Sequence, residues 1–185
     1  MDMKLSFDSI VFIFKSIWPN FLLGLLFFPI NVFSNTVNDS LKQSIIEYKF
    51  EKIQKKFKAP YVTVQELKDT LIESSILIDV REPKELLYGR IKSAITLEEF
   101  KELKDIPEDQ SIIVYCTIGH RSAKVTNQLR RQGYQAFNLK GGVLSWSHLQ
   151  QKFYKNYNQS EIETDTIHVY SKGWNFLNSE YKPIF

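Results

Sequence analysis

Ser111-Ile-Ile-Val-Tyr-Cys-Thr-Ile-Gly-His-Arg-Ser122 decides the reading of this chain of 185 residues. Its first five residues form a short, mostly apolar run, the mark of a parallel strand buried on both faces. Residues 122–132 read as a helix that Gly133 stops. Outward from this strand, loop and helix the same alternation recurs. Upstream, Ile76-Leu-Ile-Asp-Val80 is a second buried strand, Pro83 starts a short helix through Leu86 and Leu87, and residues 94–97 are a brief strand before a helix at 98–104. Further upstream, Thr63-Val-Gln-Glu66 is a capping box that opens a helix through Leu67 and Leu71. Downstream, residues 135–139 are a last strand, and Gly141-Gly142 turns into a short helix through Trp146. Strands alternating with helices predict an α/β domain, a parallel sheet flanked by helices on both faces.

In such folds ligands bind beyond the carboxyl ends of the strands. The strand at 111–115 delivers Cys116, the chain's one cysteine, to that edge. The loop amides and the start of the following helix predict a nest that favours negative charge on the sulfur. Gly119 lets the loop curl with positive φ, and Arg121 adds a fixed positive charge and a fork of donors for an oxyanion. Cys116 is therefore the candidate nucleophile, with no separate base required. Thr117, Ile118, Gly119, His120, Arg121 and Ser122 are the candidate substrate-binding residues. A lone cysteine at a strand end is by itself more often inert packing; the glycine, the arginine and the helix behind it favour chemistry. One cysteine excludes an internal disulfide and the Cys₄ and Cys₂His₂ zinc sites. His120, His148 and His168 lack ligand spacing, so neither a metal nor a cofactor is expected. Asp79 and Arg81 read as a charged pair bracing the neighbouring loop, Trp146 as core packing beneath it, and His120 as facing solvent in preference to substrate.

Three motifs in order and at the right spacing carry a family resemblance: Asp79-Val-Arg-Glu82, Cys116 through Ser122, and Gly141-Gly-Val-Leu-Ser-Trp146. The stretch from about Tyr61 to Leu149 resembles a single rhodanese domain, the sulfurtransferase fold. The resemblance implies a Cys116 persulfide as covalent intermediate, its sulfur taken from a donor such as thiosulfate and passed to a thiophilic acceptor. Arg121 and the loop amides then hold the donor's oxyanion and stabilise the persulfide. Related phosphatases place the arginine six residues after the cysteine; Arg121 stands five after Cys116, and in the resemblance the narrower ring means sulfur rather than phosphate chemistry. The chain departs from the pattern twice. Gly89-Arg-Ile-Lys-Ser-Ala94 replaces the family's Gly-His-Ile-x-Gly-Ala, and Thr117 stands where many members carry a basic residue, which leaves fewer cations in the loop. The alternative function is a non-catalytic member, a binding or redox and persulfide-sensing module.

Residues 60–150 are thus the rhodanese-like domain, and three segments lie outside it. Residues 5–33 are strongly apolar, yet Asp8, Lys15 and Pro19 interrupt them. The clean run at 21–33 is shorter than the ~20 residues of a bilayer-spanning helix. It fits a signal-peptide core, with Lys4 and Lys15 before it and Val32-Phe-Ser34 as a cleavage site. Residues 1–34 therefore read as a signal peptide directing export to the periplasm or beyond. A membrane anchor made from 5–33 is the alternative. Residues 35–40 read as a linker, and 41–58 as a basic amphipathic helix with apolar positions 41, 45, 46, 50, 53 and 57. Its lysines are expected on a solvated face, in preference to acidic lipid. Residues 151–185 are an aromatic extension expected to pack back onto the domain, with a partner contact as the alternative. A hydrophobic content of 43% permits a real core, and a net charge of +3 leaves no nucleic-acid footprint. The partners expected are a small sulfur donor and a thiophilic acceptor, an acceptor protein among them, together with membrane association through residues 5–33. With no second cysteine to resolve it, the sulfur must leave to another molecule.

Overall fold

The computed structural model describes residues 30–157 and 160–185. The apolar stretch on which the leader or anchor reading rests lies mostly outside them. Among the described residues no helix is long and apolar enough to cross a membrane. The chain divides into two compact units, Met1–Val37 and Asn38–Phe185, and the second carries everything that follows.

The elements run α1 (Ile30–Phe57), β1 (Tyr61–Val62), α2 (Val64–Glu66, continued by a π-helical turn at Leu67–Leu71), β2 (Ser75–Asp79), α3 (Pro83–Leu86), β3 (Ile95–Thr96), α4 (Leu97–Glu102), β4 (Ser111–Tyr115), α5 (His120–Arg131), β5 (Gln135–Leu139) and α6 (Gly142–His148). The five strands form one parallel sheet in the order β1-β5-β4-β2-β3. The strand of the deciding stretch is therefore its centre, paired on both sides. Successive side chains of a strand point to opposite faces. Ile113 and Tyr115 join Leu77 and Leu139 under Ile46, Ile53, Val143 and Leu144 of α1 and α6. Ile112 and Val114 join Ile78 and Ala136 under Phe100 of α4 and Leu129 of α5. Both faces are covered, which is why β2 and β4 read as continuous apolar runs. The Thr63 capping box forms as expected, with the Thr63 amide donating to the Glu66 carboxylate at 2.7 Å and the Glu66 amide to Thr63 Oγ1 at 3.1 Å.

Two segments outside residues 60–150 differ from their sequence reading. The polar stretch at 35–40 lies inside α1 rather than forming a turn. Asp39 shows what its polarity serves: the carboxylate accepts from the Ser179 amide and hydroxyl, from Asn178 Nδ2 and from Lys42 Nζ. Ile46, Phe50 and Ile53 are buried, so from Asn38 onward α1 is part of the domain core. The aromatic extension packs back, as expected, but as short strands: the antiparallel pair β6 (Phe153–Tyr157) and β7 (Ser160–Thr164), and the parallel pair β8 (Thr166–His168) and β9 (Lys182–Ile184), with a 3₁₀ turn at Lys172–Trp174 between the last two. Phe153, Ile167, Val169 and Leu177 anchor it in the core.

The brace expected of Asp79 and Arg81 is present. The pair is fully buried, with Arg81 Nη2 donating to Asp79 at 2.7 Å and to the Gly89 carbonyl at 2.6 Å, and Nη1 reaching the His168 carbonyl of the extension at 3.4 Å. Trp146 is core, but its indole N–H donates to the Lys152 carbonyl at 3.0 Å, which ties α6 to the extension. Ser93, where the family pattern has glycine, keeps a left-handed backbone at φ 57°.

Candidate active site

Cys116 leaves the end of β4 and is 1% exposed. Its loop is fixed from three sides. From α6, the amides of Val143 and Leu144 donate to the carbonyls of Cys116 and Thr117 at 3.0 and 3.3 Å. The Gly141-Gly142 turn permits this approach, because a Cβ on Gly142 would lie 2.0 Å from the Cys116 carbonyl oxygen. From β5, buried Asn138 donates through Nδ2 to the Gly119 carbonyl at 3.0 Å. From within, Gly119 adopts φ 103° and caps α5, a conformation that non-glycine residues rarely hold. The sulfur then sits against the first turn of α5, where the helix end is positive. It accepts the Gly119 amide at 3.2 Å and the Ser122 hydroxyl at 3.4 Å.

Arg121 does not stand open to an oxyanion. Its guanidinium forms a two-point pair with Glu85, Nη2 to Oε1 at 2.9 Å and Nη1 to Oε2, and Nη2 also reaches Thr117 Oγ1 at 3.2 Å. The cause lies in α3, whose capping box already holds Glu85 inward through the Glu82 amide at 2.7 Å. Burial pushes the Glu85 carboxyl up, but its bonds to Arg121 and the Glu82 amide more than reverse this and hold it below the ordinary range. For Arg121, burial lowers the value, and Glu85 together with the neighbouring sulfur raises it further. The cation of the loop is thus largely matched by a buried carboxylate.

Cys116, Thr117 and Ile118 floor a half-open cavity of about 440 Å³, and His120 and Arg121 stand at its edge. Lys49, Lys52 and Ile53 of α1 form one wall, and Tyr170 and Trp174 of the extension another. His120 lines this cavity rather than facing solvent, its ring edge-on to Phe57 at 5.0 Å. Burial first, then Lys124, Lys56 and Arg121, lower its pKa from the ordinary histidine value. Gly119 and Ser122 do not line the cavity; both act on the sulfur from behind it. Tyr170 holds a left-handed φ of 69° with its amide on His168 Nδ1 at 3.1 Å, and its ring lies 5.5 Å from the Arg121 guanidinium carbon.

Sequence reasoning missed Glu85, Asn138 and the five wall residues. Lys49, Lys52 and Ile53 share a helix face at three- and four-residue spacing, a signal present in the sequence but not distinguishable there from a solvated face. Glu85 had no signal beyond its place in a short capped helix.

Comparison with known proteins fits this geometry. A family model described as Rhodanese-like domain matches residues 63–149. A protein named sulfurtransferase from Allochromatium vinosum is 36% identical over 87 residues, covering 45% of this chain and 79% of that protein. This chain belongs to the rhodanese-like family. A further relative, the uncharacterized protein YqhL of Bacillus subtilis, is 37% identical over 100 residues, covering 48% of this chain and 79% of its own length. Among solved structures, a rhodanese-related protein from Thermoplasma volcanium is similar at 29% identity and a TM-score of 0.45, over 51% of this chain and 96% of that one. The rhodanese-like match begins after α1 and ends before the extension, so Lys49, Lys52, Ile53, Tyr170 and Trp174 all stand outside it.

Proposed function

We propose that this chain is a sulfurtransferase of the thiosulfate sulfurtransferase type, carrying sulfane sulfur as a persulfide on Cys116. The observation that supports this most is the sulfur itself, at the floor of a cavity and accepting hydrogen bonds from Gly119 and Ser122 at the mouth of α5. Those donors stabilise negative charge on the Cys116 sulfur, both as the attacking thiolate and as the thiolate that departs at the end of the cycle. The thiolate attacks the sulfane sulfur of the donor. The donor's S–S bond breaks, its electron pair leaves with sulfite when the donor is thiosulfate, and a Cys116 persulfide anion forms. A thiophilic acceptor then attacks the outer sulfur, and the Cys116 thiolate departs with the electron pair of the second S–S bond. No net oxidation of the protein occurs, and the absence of another cysteine means that the acceptor comes from outside the chain.

Thiosulfate and cyanide supplied together should yield thiocyanate, and Cys116→Ala should abolish it. Wild-type turnover no faster than that of the variant refutes catalysis and leaves a sensing module. We propose further that the protein works after export with its leader removed after Ser34, a cut within the first turns of α1 and ahead of the Asn38–Phe185 unit. N-terminal sequencing of the mature protein should begin at Asn35; an intact Met1 end on membrane-bound protein contradicts cleavage.

A further inference from the structure

We infer that α1 and the C-terminal extension build an anion-recognising subsite over Cys116, and that the donor it selects is a small organic persulfide bearing a carboxylate. The inference rests on the Cys116 persulfide chemistry of that reading and makes an organic persulfide the preferred donor, with thiosulfate the weaker one. Three observations carry it.

The first is the charge at the site. Arg121, the loop's own cation, is already matched by Glu85, and Thr117 adds no charge. Lys49 and Lys52 are the remaining lysines lining the cavity. Among the described residues neither forms an ion pair, whereas Lys42, Lys140, Lys152 and Lys182 each do. Lys49 Nζ instead lies 4.6 Å from the Trp174 ring centroid, and Lys52 Nζ 4.4 Å from that of Tyr48. Aromatic faces hold an ammonium in place without neutralising it, so both charges stay available to a ligand.

The second is size. A cavity of about 440 Å³ falls in the range of small-molecule sites, about 300–1,000 Å³, and leaves far more room than thiosulfate fills. The third is depth. Cys116 is 1% exposed, so the reacting sulfur must arrive on a slender stem, which a small thiol has and the surface of a folded protein does not. Ile53, Ile118 and Trp174 offer that stem an apolar wall, and Lys49 and Lys52 line the same cavity.

The step balances as R–S–SH + Cys116–S⁻ → Cys116–S–S⁻ + R–SH. The donor's S–S bond breaks, its electron pair goes to the R–S sulfur, and the proton carried by the outer sulfur passes to that departing thiolate.

The test measures single-turnover sulfur loading of the full chain by intact mass, comparing 3-mercaptopropionate persulfide, the neutral 2-mercaptoethanol persulfide, and thiosulfate. The carboxylate persulfide should load about tenfold faster than the neutral one, the combined worth of two partly exposed charge contacts, and should saturate at lower concentration than thiosulfate. In the Lys49→Met/Lys52→Met variant the ratio of carboxylate to neutral loading should fall to near one. In Lys49→Glu/Lys52→Glu the cationic cysteamine persulfide, measured as a fourth donor, should load faster than the carboxylate persulfide, a gain that misfolding cannot imitate. Equal loading of both persulfides by the wild type, or a ratio that survives the double substitution, overturns the subsite while leaving the persulfide chemistry standing. Saturation by thiosulfate at the lower concentration, with the lysine variants weakening thiosulfate most, assigns the lysines to an inorganic dianion and overturns the donor class. Failure of every donor to load Cys116 overturns the sulfurtransferase reading and this inference with it.

Discussion

Glu85 is the residue that most changes the chemistry of the loop. It is fully buried and paired at two points with Arg121. Replacing it by Gln leaves a partly buried guanidinium without its counter-charge, and breaking such a pair costs about 3 kcal/mol. Glu85→Gln should therefore lower the melting temperature measurably, and it should also lower the KM for thiosulfate, because the freed cation turns to the anion. The pH dependence has a definite sign. The folded-state pKa of Glu85 lies below its ordinary value of 4.5. Its stabilisation is complete above pH 4.5 and is lost as the pH falls through the lowered value. Melting curves of wild type and variant should differ at pH 7 and converge under acid; a gap that persists at low pH contradicts the pairing.

At the scale of elements, the loop depends on α6 as much as on β4. An alanine at Gly142 brings Cβ within 2.0 Å of the Cys116 carbonyl oxygen at a backbone φ of 52°. The left-handed backbone alone costs a non-glycine residue about 1–3 kcal/mol and the overlap adds to it, so Gly142→Ala should destabilise the protein by at least that much and slow sulfur loading. A melting temperature and a loading rate equal to wild type contradict the contact. At the other end, Asp39 clamps the extension through Ser179 and Asn178. Asp39→Ala should cost about 1–2 kcal/mol and raise amide exchange across residues 166–185 more than in β4, as expected of a locally released segment. These contacts also show why the sequence was legible in some places and not in others. β4 was readable to the residue because a parallel strand covered on both faces is almost wholly apolar, and β5 because Gly133 and Gly141 bracket it. The Thr63 box was readable because caps are local. β6 to β9 were not, since each is short: Phe153 of β6 and Ile167 of β8 are buried by tertiary contact with the domain, and no local period announces them. Asp39 looked like a linker residue because its partners lie some 140 positions away.

For the whole molecule, the family domain and its flanks divide the work. The rhodanese-like stretch supplies the sulfur, the nest and the Arg121–Glu85 pair. α1 and the extension supply the walls that give the cavity its size and its uncommitted charge. Cys116, Gly119 and Arg121 stood out in the sequence because loop chemistry is contiguous; Lys49 and Trp174 did not, because only folding brings residues from the two ends of the unit to one cavity. The persulfide on Cys116 is the centre of this reading, and intact-mass spectrometry of the full chain after exposure to a sulfane-sulfur donor tests it most directly. One added sulfur, located on the Cys116 peptide, removed by cyanide and absent from Cys116→Ala, is the predicted result. A wild-type protein that gains no sulfur from thiosulfate or from either persulfide contradicts it.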